Sequence, residues 1–166
     1  MATEAVKERT RKAWRELGFF CGKDKVAKQW RVAGSVAGLR KFASLIRAYA
    51  SNPVNDRLSE YMHLGPAMNL EIGTAEQTEI TDQWIAGSLP DLLNLAGLIE
   101  VNVKPNVVGR RIALRSSYST LAPYDLILDV REESFDPASE DATCRWRQKD
   151  FGAGRPSPGR IVGSSS

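Results

Sequence analysis

The sequence is poor in the residues that build most catalytic and metal centres. Among 166 residues it has one histidine, His63, and two distant cysteines, Cys21 and Cys144. One histidine excludes multi-histidine zinc sites, and the cysteines form no Cys-x-x-Cys pair. Gly-x-Ser-x-Gly, Gly-x-Gly-x-x-Gly and Gly-Lys-Ser/Thr are all absent, and with them the usual marks of hydrolase, dinucleotide and phosphate-loop sites. We expect no cofactor and no metal.

Long apolar runs are also missing. No segment approaches the roughly 20 apolar residues of a membrane span. The N-terminal segment MATEAVKERTRKAW is charged throughout, so it lacks the apolar stretch of a secretory signal. The sequence therefore predicts a cytoplasmic protein with reduced thiols and no membrane partner.

The net charge of +3 is unevenly distributed. The last 23 residues carry +4, whereas residues 1 to 143 carry 18 basic and 19 acidic side chains. Nucleic-acid-binding domains usually show a basic face on the folded part, so nucleic acid is not the favoured partner. The chain is long enough for one ordinary core. We predict a mobile or helical segment at 1–13, one domain at 14–141, and a disordered basic tail at 142–166.

An internal repeat is the main feature that is present. Trp30-x-x-Ala33-Gly34-Ser35-x-x-x-Leu39-x-x-x-Ala43-x-Leu45-Ile46 recurs as Trp84-x-Ala86-Gly87-Ser88-x-x-x-Leu92-x-x-x-Ala96-x-Leu98-Ile99. From the glycine onward the two copies are 53 positions apart, while the Trp lies one residue nearer in the second copy. Such self-similarity indicates a duplicated supersecondary unit. The shared positions are apolar or small, which is typical of packing rather than chemistry.

Each copy is predicted to be a hairpin followed by a helix. Ser35 and Ser88 are placed as helix N-caps, and apolar residues downstream follow helical spacing. Strands are expected at 17–21 with 29–33, at 68–72 with 80–86, and at 111–116 with 124–131. The predicted fold is α+β, with about six antiparallel strands and two helices on one face, built from a duplicated β-β-α unit plus a C-terminal β-hairpin. Trp30 and Trp84 are interpreted as equivalent packing residues.

Alternation along the strands predicts a polar sheet face away from the helices. A mixed-charge face of this kind suits a protein partner, although a merely solvated face explains it equally well. The acidic segment from Asp129 to Asp141 lacks EF-hand spacing, so it indicates a solvated turn or a surface for a basic protein. The partner-binding candidates are Glu71, Gln83, Arg111, Arg115, Asp125, Asp129, Arg131 and Glu133.

A second candidate site is the segment around the lone histidine. As a general base His63 would need a proton donor within hydrogen-bond reach, and no motif supplies one. A structural histidine is the simpler interpretation. The alternative hypothesis is a small enzyme or ligand-binding domain that uses a loop containing Glu60, Tyr61 and His63.

Several segments together resemble a known group of proteins. They are WRELGFF at 14–20, WRVAGS at 30–35, HLGP at 63–66, IAGSLPDL at 85–92 and FDPA at 135–138. Together they look like a family of small, uncharacterised bacterial proteins. The strand-Gly-Ser-helix unit is similar to that of some immunity proteins of bacterial polymorphic toxin systems. The resemblance covers about residues 14 to 141 and carries over no catalytic residue.

Three functional hypotheses follow. The resemblance implies a non-enzymatic bacterial binding protein, an immunity protein that neutralises a partner toxin. The second is the enzyme or ligand-binding domain with the His63 loop, and the third is a homodimeric structural protein.

Overall fold

The computed structural model describes residues 2–57 and 61–144. Its helices and strands, in chain order, are α1 Glu4–Leu17, β1 Phe20–Asp24, β2 Gln29–Ser35, α2 Val36–Ala50, β3 Tyr61–Leu64, β4 Leu70–Thr74, β5 Glu79–Ile80, β6 Trp84–Gly87, α3 Leu89–Asn102, β7 Arg111–Ala113, α4 Arg115–Tyr118 and β8 Asp125–Arg131. Short 3₁₀ turns lie at Pro53–Asp56, Pro105–Val107 and Pro137–Glu140. No helix in these two ranges has the length and apolar character needed to cross a membrane.

The strands form two four-stranded sheets that are built alike. The first sheet has the order β1-β2-β8-β7 and the second has the order β3-β4-β6-β5. In each sheet two antiparallel hairpins meet through a parallel central pair, β2 with β8 and β4 with β6. The α+β class is therefore confirmed, whereas the structure has eight strands in two mixed sheets instead of the predicted six antiparallel strands with two helices on one face.

The repeated unit is longer than the sequence comparison indicated. Each half of the chain has the order hairpin, helix, hairpin: β1-β2-α2-β3-β4 and then β5-β6-α3-β7-β8. The two halves exchange their second hairpins, because β7-β8 joins the first sheet and β3-β4 joins the second. The predicted hairpin of 68–72 with 80–86 is therefore wrong, since β4 pairs with β3 and, in parallel, with β6. The hairpins β1-β2 and β7-β8 join the segments that the sequence predicts, but their first strands differ from the predicted bounds. β1 covers residues 20–24 rather than 17–21, and β7 ends at Ala113, because residues 115–118 form α4.

The two long central helices begin as the sequence predicts. The Ser35 hydroxyl accepts a hydrogen bond from the Gly38 amide, and the Ser88 hydroxyl accepts one from the Asp91 amide. The Asp91 side chain also accepts from the Ser88 amide, which completes a capping box. Because α2 and α3 pack against each other and against the inner faces of the sheets, one continuous core fills the molecule.

The first helix covers part of the outer face of the first sheet. The Trp14 ring lies 4.9 Å from the Phe20 ring of β1, and its indole N–H donates to Asp141. Arg15 forms an ion pair with Asp136 at 3.0 Å, which ties α1 to the 137–140 turn. The predicted domain boundary at 13/14 therefore falls inside α1. The described chain continues past the predicted end at 141 to Cys144, whose side chain is buried.

Candidate functional site

The outer faces of the two sheets differ in what covers them. On the first sheet, α1 packs on β1 through Trp14 and Phe20, and the 137–140 turn contacts β1 and pairs with Arg31 of β2. Ala33 of β2 lies on the outer face of this sheet, and it is fully buried because these elements cover it. On the second sheet, the edge residue Tyr61 is 49% exposed and the His63 side chain is 39% exposed. The second sheet therefore presents the more accessible outer face.

An ion-pair network fills the outer face of the first sheet. Asp129 of β8 is buried and contacts Arg31 at 3.1 Å, Arg111 at 3.6 Å and Arg131 at 4.0 Å. Glu140 from the 3₁₀ turn adds a second carboxylate to Arg31. Each buried charge on this face thus has a partner of opposite sign within the chain. The network serves packing more readily than it serves recognition.

Two cross-strand rows build the outer face of the second sheet. Strand register aligns Tyr61, Gly73, Ala86 and Glu79 in one row, because β3, β4, β6 and β5 are neighbours. The same register aligns His63, Glu71 and Trp84 in the next row. We call the five larger side chains of these rows the open face: Tyr61, His63, Glu71, Glu79 and Trp84.

Aromatic rings shape the middle of the open face. The Tyr61 and Trp84 rings meet edge to face with centroids 5.7 Å apart. Both lie over Gly73, where an added Cβ would overlap the Trp84 ring and crowd Tyr61. Only a residue without a side chain fits this position, so the packing of the rings depends on Gly73. The Trp84 indole N–H donates to the Glu79 carboxylate at 2.9 Å, which fixes the ring's direction.

The carboxylates of the open face have no Lys or Arg partner in the described part of the chain. Glu71 contacts His63, with 4.0 Å between Oε2 and Nδ1, and its side chain is 31% exposed. Among the described residues, the Glu79 carboxylate accepts a hydrogen bond from the Trp84 indole N–H alone. No Lys or Arg of the described residues forms an ion pair with the carboxylate of Glu71, Glu76, Glu79 or Asp82. Lys23 donates instead to the backbone carbonyl of Asp82. Among the described residues, the face therefore combines the exposed Tyr61 ring and the partly buried Trp84 ring with two carboxylates that no Lys or Arg neutralises.

A sequence signal for this face exists. Residues 58–103 contain seven acidic side chains and not one Lys or Arg, although the chain has 23 basic residues. This stretch includes all four strands of the second sheet and α3. The charge count over the whole chain hides the asymmetry, because the cation-free stretch lies between two basic ones.

The one-residue shift of the tryptophan between the two repeats places Trp84 on the opposite side of its sheet from Trp30. Trp30 faces the core and is 1% exposed, whereas its neighbour Arg31 faces outward. Measured from the glycine of each repeat, Trp84 occupies the place of Arg31 and not that of Trp30. Since side chains alternate along a strand, a shift of one residue moves the ring to the other face. The two tryptophans are not equivalent packing residues.

The predicted partner-binding residues do not form one surface. Glu71 alone belongs to the open face, and Gln83 is exposed in the turn beside it. Asp129 is not solvent-facing, and Arg111 and Arg131 surround it on the first sheet. The others are structural or distant: the Asp125 carboxylate accepts from the backbone amides of Arg115 and Leu126, and Glu133 is exposed near Arg131.

The residues of the predicted His63 loop lie on a strand. Tyr61 and His63 are on β3, with ring centroids 6.5 Å apart, while Glu60 lies outside the described residues. Both side chains are exposed, so the described part of this segment presents them at the surface.

Comparison of the chain with models of known protein families, with curated proteins and with solved structures finds no match.

Proposed function

We propose that this chain is a non-enzymatic binding protein that captures a basic protein partner on its open face. The observation that carries the proposal is the meeting of Tyr61 and Trp84 with Glu71 and Glu79 on a sheet face that no other described element covers, where no Lys or Arg of the described residues pairs with either carboxylate. Aromatic residues with a large rigid surface are typical of binding hot spots. Charge complementarity gives specificity and fast association.

The immunity-type role is the specific form of this proposal. An immunity protein neutralises its toxin by occupying a surface, so it needs a stable scaffold and an exposed recognition face but no reacting groups. The resemblance of the strand-Gly-Ser-helix unit to some immunity proteins supports this form. We place the protein in the bacterial cytoplasm, where Cys21 stays an inert thiol because burial raises its pKa to about 12.

The proposal is tested by capture with matched variants. Bacterial lysate is passed over the immobilised wild-type chain, over the double variant Glu71→Lys/Glu79→Lys, and over Glu133→Lys as a control of exposed charge on another surface. We expect a basic protein that binds the wild type and the control but not the double variant. If no captured protein depends on Glu71 and Glu79, the open face is not a binding site and the proposal fails.

A growth assay tests the immunity role separately. The captured protein is expressed from an inducible promoter, alone and together with this chain. We expect growth arrest that wild-type chain relieves and the double variant does not. A captured protein without effect on growth would overturn the immunity role and leave the binding function in place.

A further inference from the structure

On the outer face of the first sheet, an aromatic ring and two carboxylates bind an arginine of the same chain. The Arg31 guanidinium lies 5.5 Å from the centre of the Phe20 ring. Its two terminal nitrogens contact different carboxylates, Asp129 and Glu140. An aromatic face and a pair of carboxylates thus hold one guanidinium at the outer surface of a sheet. Both kinds of contact favour arginine over lysine, because the guanidinium is planar and offers a fork of donors.

The open face contains the same kinds of groups without the cation. Trp84 stands at the place in its repeat that Arg31 occupies in the other, and Glu71 lies directly across the strand pair from Trp84. Tyr61 and Trp84 supply aromatic surface, and Glu71 and Glu79 supply two carboxylates. In the first sheet the cation between these groups is Arg31 of β2. In the second sheet no Lys or Arg of the described residues lies between the corresponding groups.

We propose that the open face receives an arginine side chain of the partner, which stacks on Tyr61 and pairs with Glu71. This inference rests on the proposed function and names the group that the face recognises. Tyr61 is the stacking surface because it is the most exposed ring of the face. Glu71 is the pairing group, since the Glu79 carboxylate is already bonded to the Trp84 indole. A second copy of this chain fits poorly, since two acidic faces repel each other.

A blocked amino acid is a direct probe of this inference. The full wild-type chain labelled with ¹⁵N is titrated with N-acetyl-arginine amide at constant ionic strength, and the indole N–H resonance of Trp84 is followed after assignment with Trp84→Phe. We expect a saturable shift. The neutral analogue N-acetyl-citrulline amide controls for stacking without charge, and N-acetyl-lysine amide controls for charge without a planar group. Both should bind more weakly.

Two conservative variants separate the contacts. Glu71→Gln removes the charge at nearly constant shape and should weaken arginine amide binding about three- to tenfold, as should Tyr61→Leu, which removes the ring. Glu133→Gln should leave the binding unchanged. The melting temperature of each variant shows whether it is folded, and Glu71→Gln remains informative if Tyr61→Leu is not.

The outcomes distinguish this inference from the proposed function. Absence of a saturable shift, or equal binding of the citrulline analogue, overturns the arginine site. If a partner is nevertheless lost on Glu71→Lys/Glu79→Lys, the binding function stands with a different recognised group. A concentration-dependent dimer that Glu71→Lys abolishes would overturn the inference in favour of self-association.

Discussion

Arg47 and Glu100 occupy the same position in the two repeats, and they pair with each other. The Arg47 Nη2 atom lies 2.6 Å from Glu100 Oε1, between α2 and α3. Arg40 of α2 donates to the Val103 carbonyl at the far end of α3, so the helices run in opposite directions. Contact between equivalent positions means that the axis relating the two halves passes close to this pair. The pair also holds the Arg47 pKa above its usual value, because Glu100 hydrogen-bonds to the charged form.

Exchange of these two charges provides the first prediction. Arg47→Glu should lower the melting temperature, because it places two carboxylates at the helix crossing. The double variant Arg47→Glu/Glu100→Arg should recover most of the loss. Thermal unfolding of the three chains, followed by circular dichroism at low and high salt, measures both effects. A double variant no more stable than the single one would show that the pair has a directional role.

The repeat predicts matched core positions. Leu39 and Leu92 are equivalent and fully buried. Leu39→Ala and Leu92→Ala should each reduce the free energy of unfolding by about 2 to 5 kcal/mol, whereas Ser88→Ala, at the helix cap, should cost about 1 kcal/mol. Denaturation with urea checks the order. A Leu39→Ala variant as stable as the wild type would contradict the assignment of the repeat to the core.

Two helix glycines should respond to alanine in opposite directions. At Gly38 of α2 an added Cβ would overlap the backbone carbonyl of Gly18, whereas at Gly97 of α3 it would meet nothing within 4 Å. Gly38→Ala should therefore destabilise by about 1 to 3 kcal/mol, despite the higher helix propensity of alanine. Gly97→Ala should stabilise by about 0.5 to 1 kcal/mol. The two variants are compared by chemical denaturation, and equal effects would refute the close approach at Gly18.

The buried carboxylate of the first sheet should be sensitive to neutralisation. Asp129→Ala leaves Arg31 and its neighbouring arginines without their shared partner, and the Asp129 side chain is only 10% exposed. We expect a loss of about 3 kcal/mol in the free energy of unfolding. Glu133 is exposed and lies two residues beyond the end of β8. Glu133→Ala should therefore change the free energy of unfolding by less than about 0.5 kcal/mol. Comparable losses in the two variants would contradict the network.

Attachment of α1 should weaken in acid. The Asp136 pKa lies below its usual value because Arg15 donates hydrogen bonds to the carboxylate. A lowered folded-state pKa contributes stability above the unfolded-state pKa, and this stability is lost as the pH falls through the folded-state value. Asp136→Asn keeps the cap of the 3₁₀ turn but removes the charge. Its melting temperature should be below that of the wild type at pH 7 and equal to it in strong acid; a difference independent of pH would exclude the ion pair as its source.

Local features of the fold were predictable from the sequence, and non-local pairings were not. The caps at Ser35 and Ser88 depend on amides a few residues away in the sequence. The alternation of apolar and polar side chains in β8 depends only on the residues of that strand. The pairing of β4 with β6 depends instead on competition between strands of the two halves. A strand nearer to β4 in the sequence could have paired with it in place of β6. A hydrophobic pattern does not decide that competition. The docking of α1 was missed for the same reason.

The candidate site was predictable only in part. Glu71, Tyr61 and His63 were selected from the sequence, but for two separate sites. Register brings them together with Trp84 and Glu79 on neighbouring strands. Asp129 was selected as a solvent-facing charge, and it is buried because α1 and the 137–140 turn cover part of that face, which no pattern within β8 reveals.

The exchange of hairpins between the two halves ties folding to the order of synthesis. The first sheet needs β8 beside β2, yet β8 leaves the ribosome after all the other strands that the structure describes. Until then β2 has an unpaired inner edge, and the first half cannot close a sheet with its own strands. The nascent chain is therefore exposed to chaperones and to mispairing for most of its translation. Because each sheet takes one hairpin from each half, the first sheet and the open face form only when strands of both halves are present.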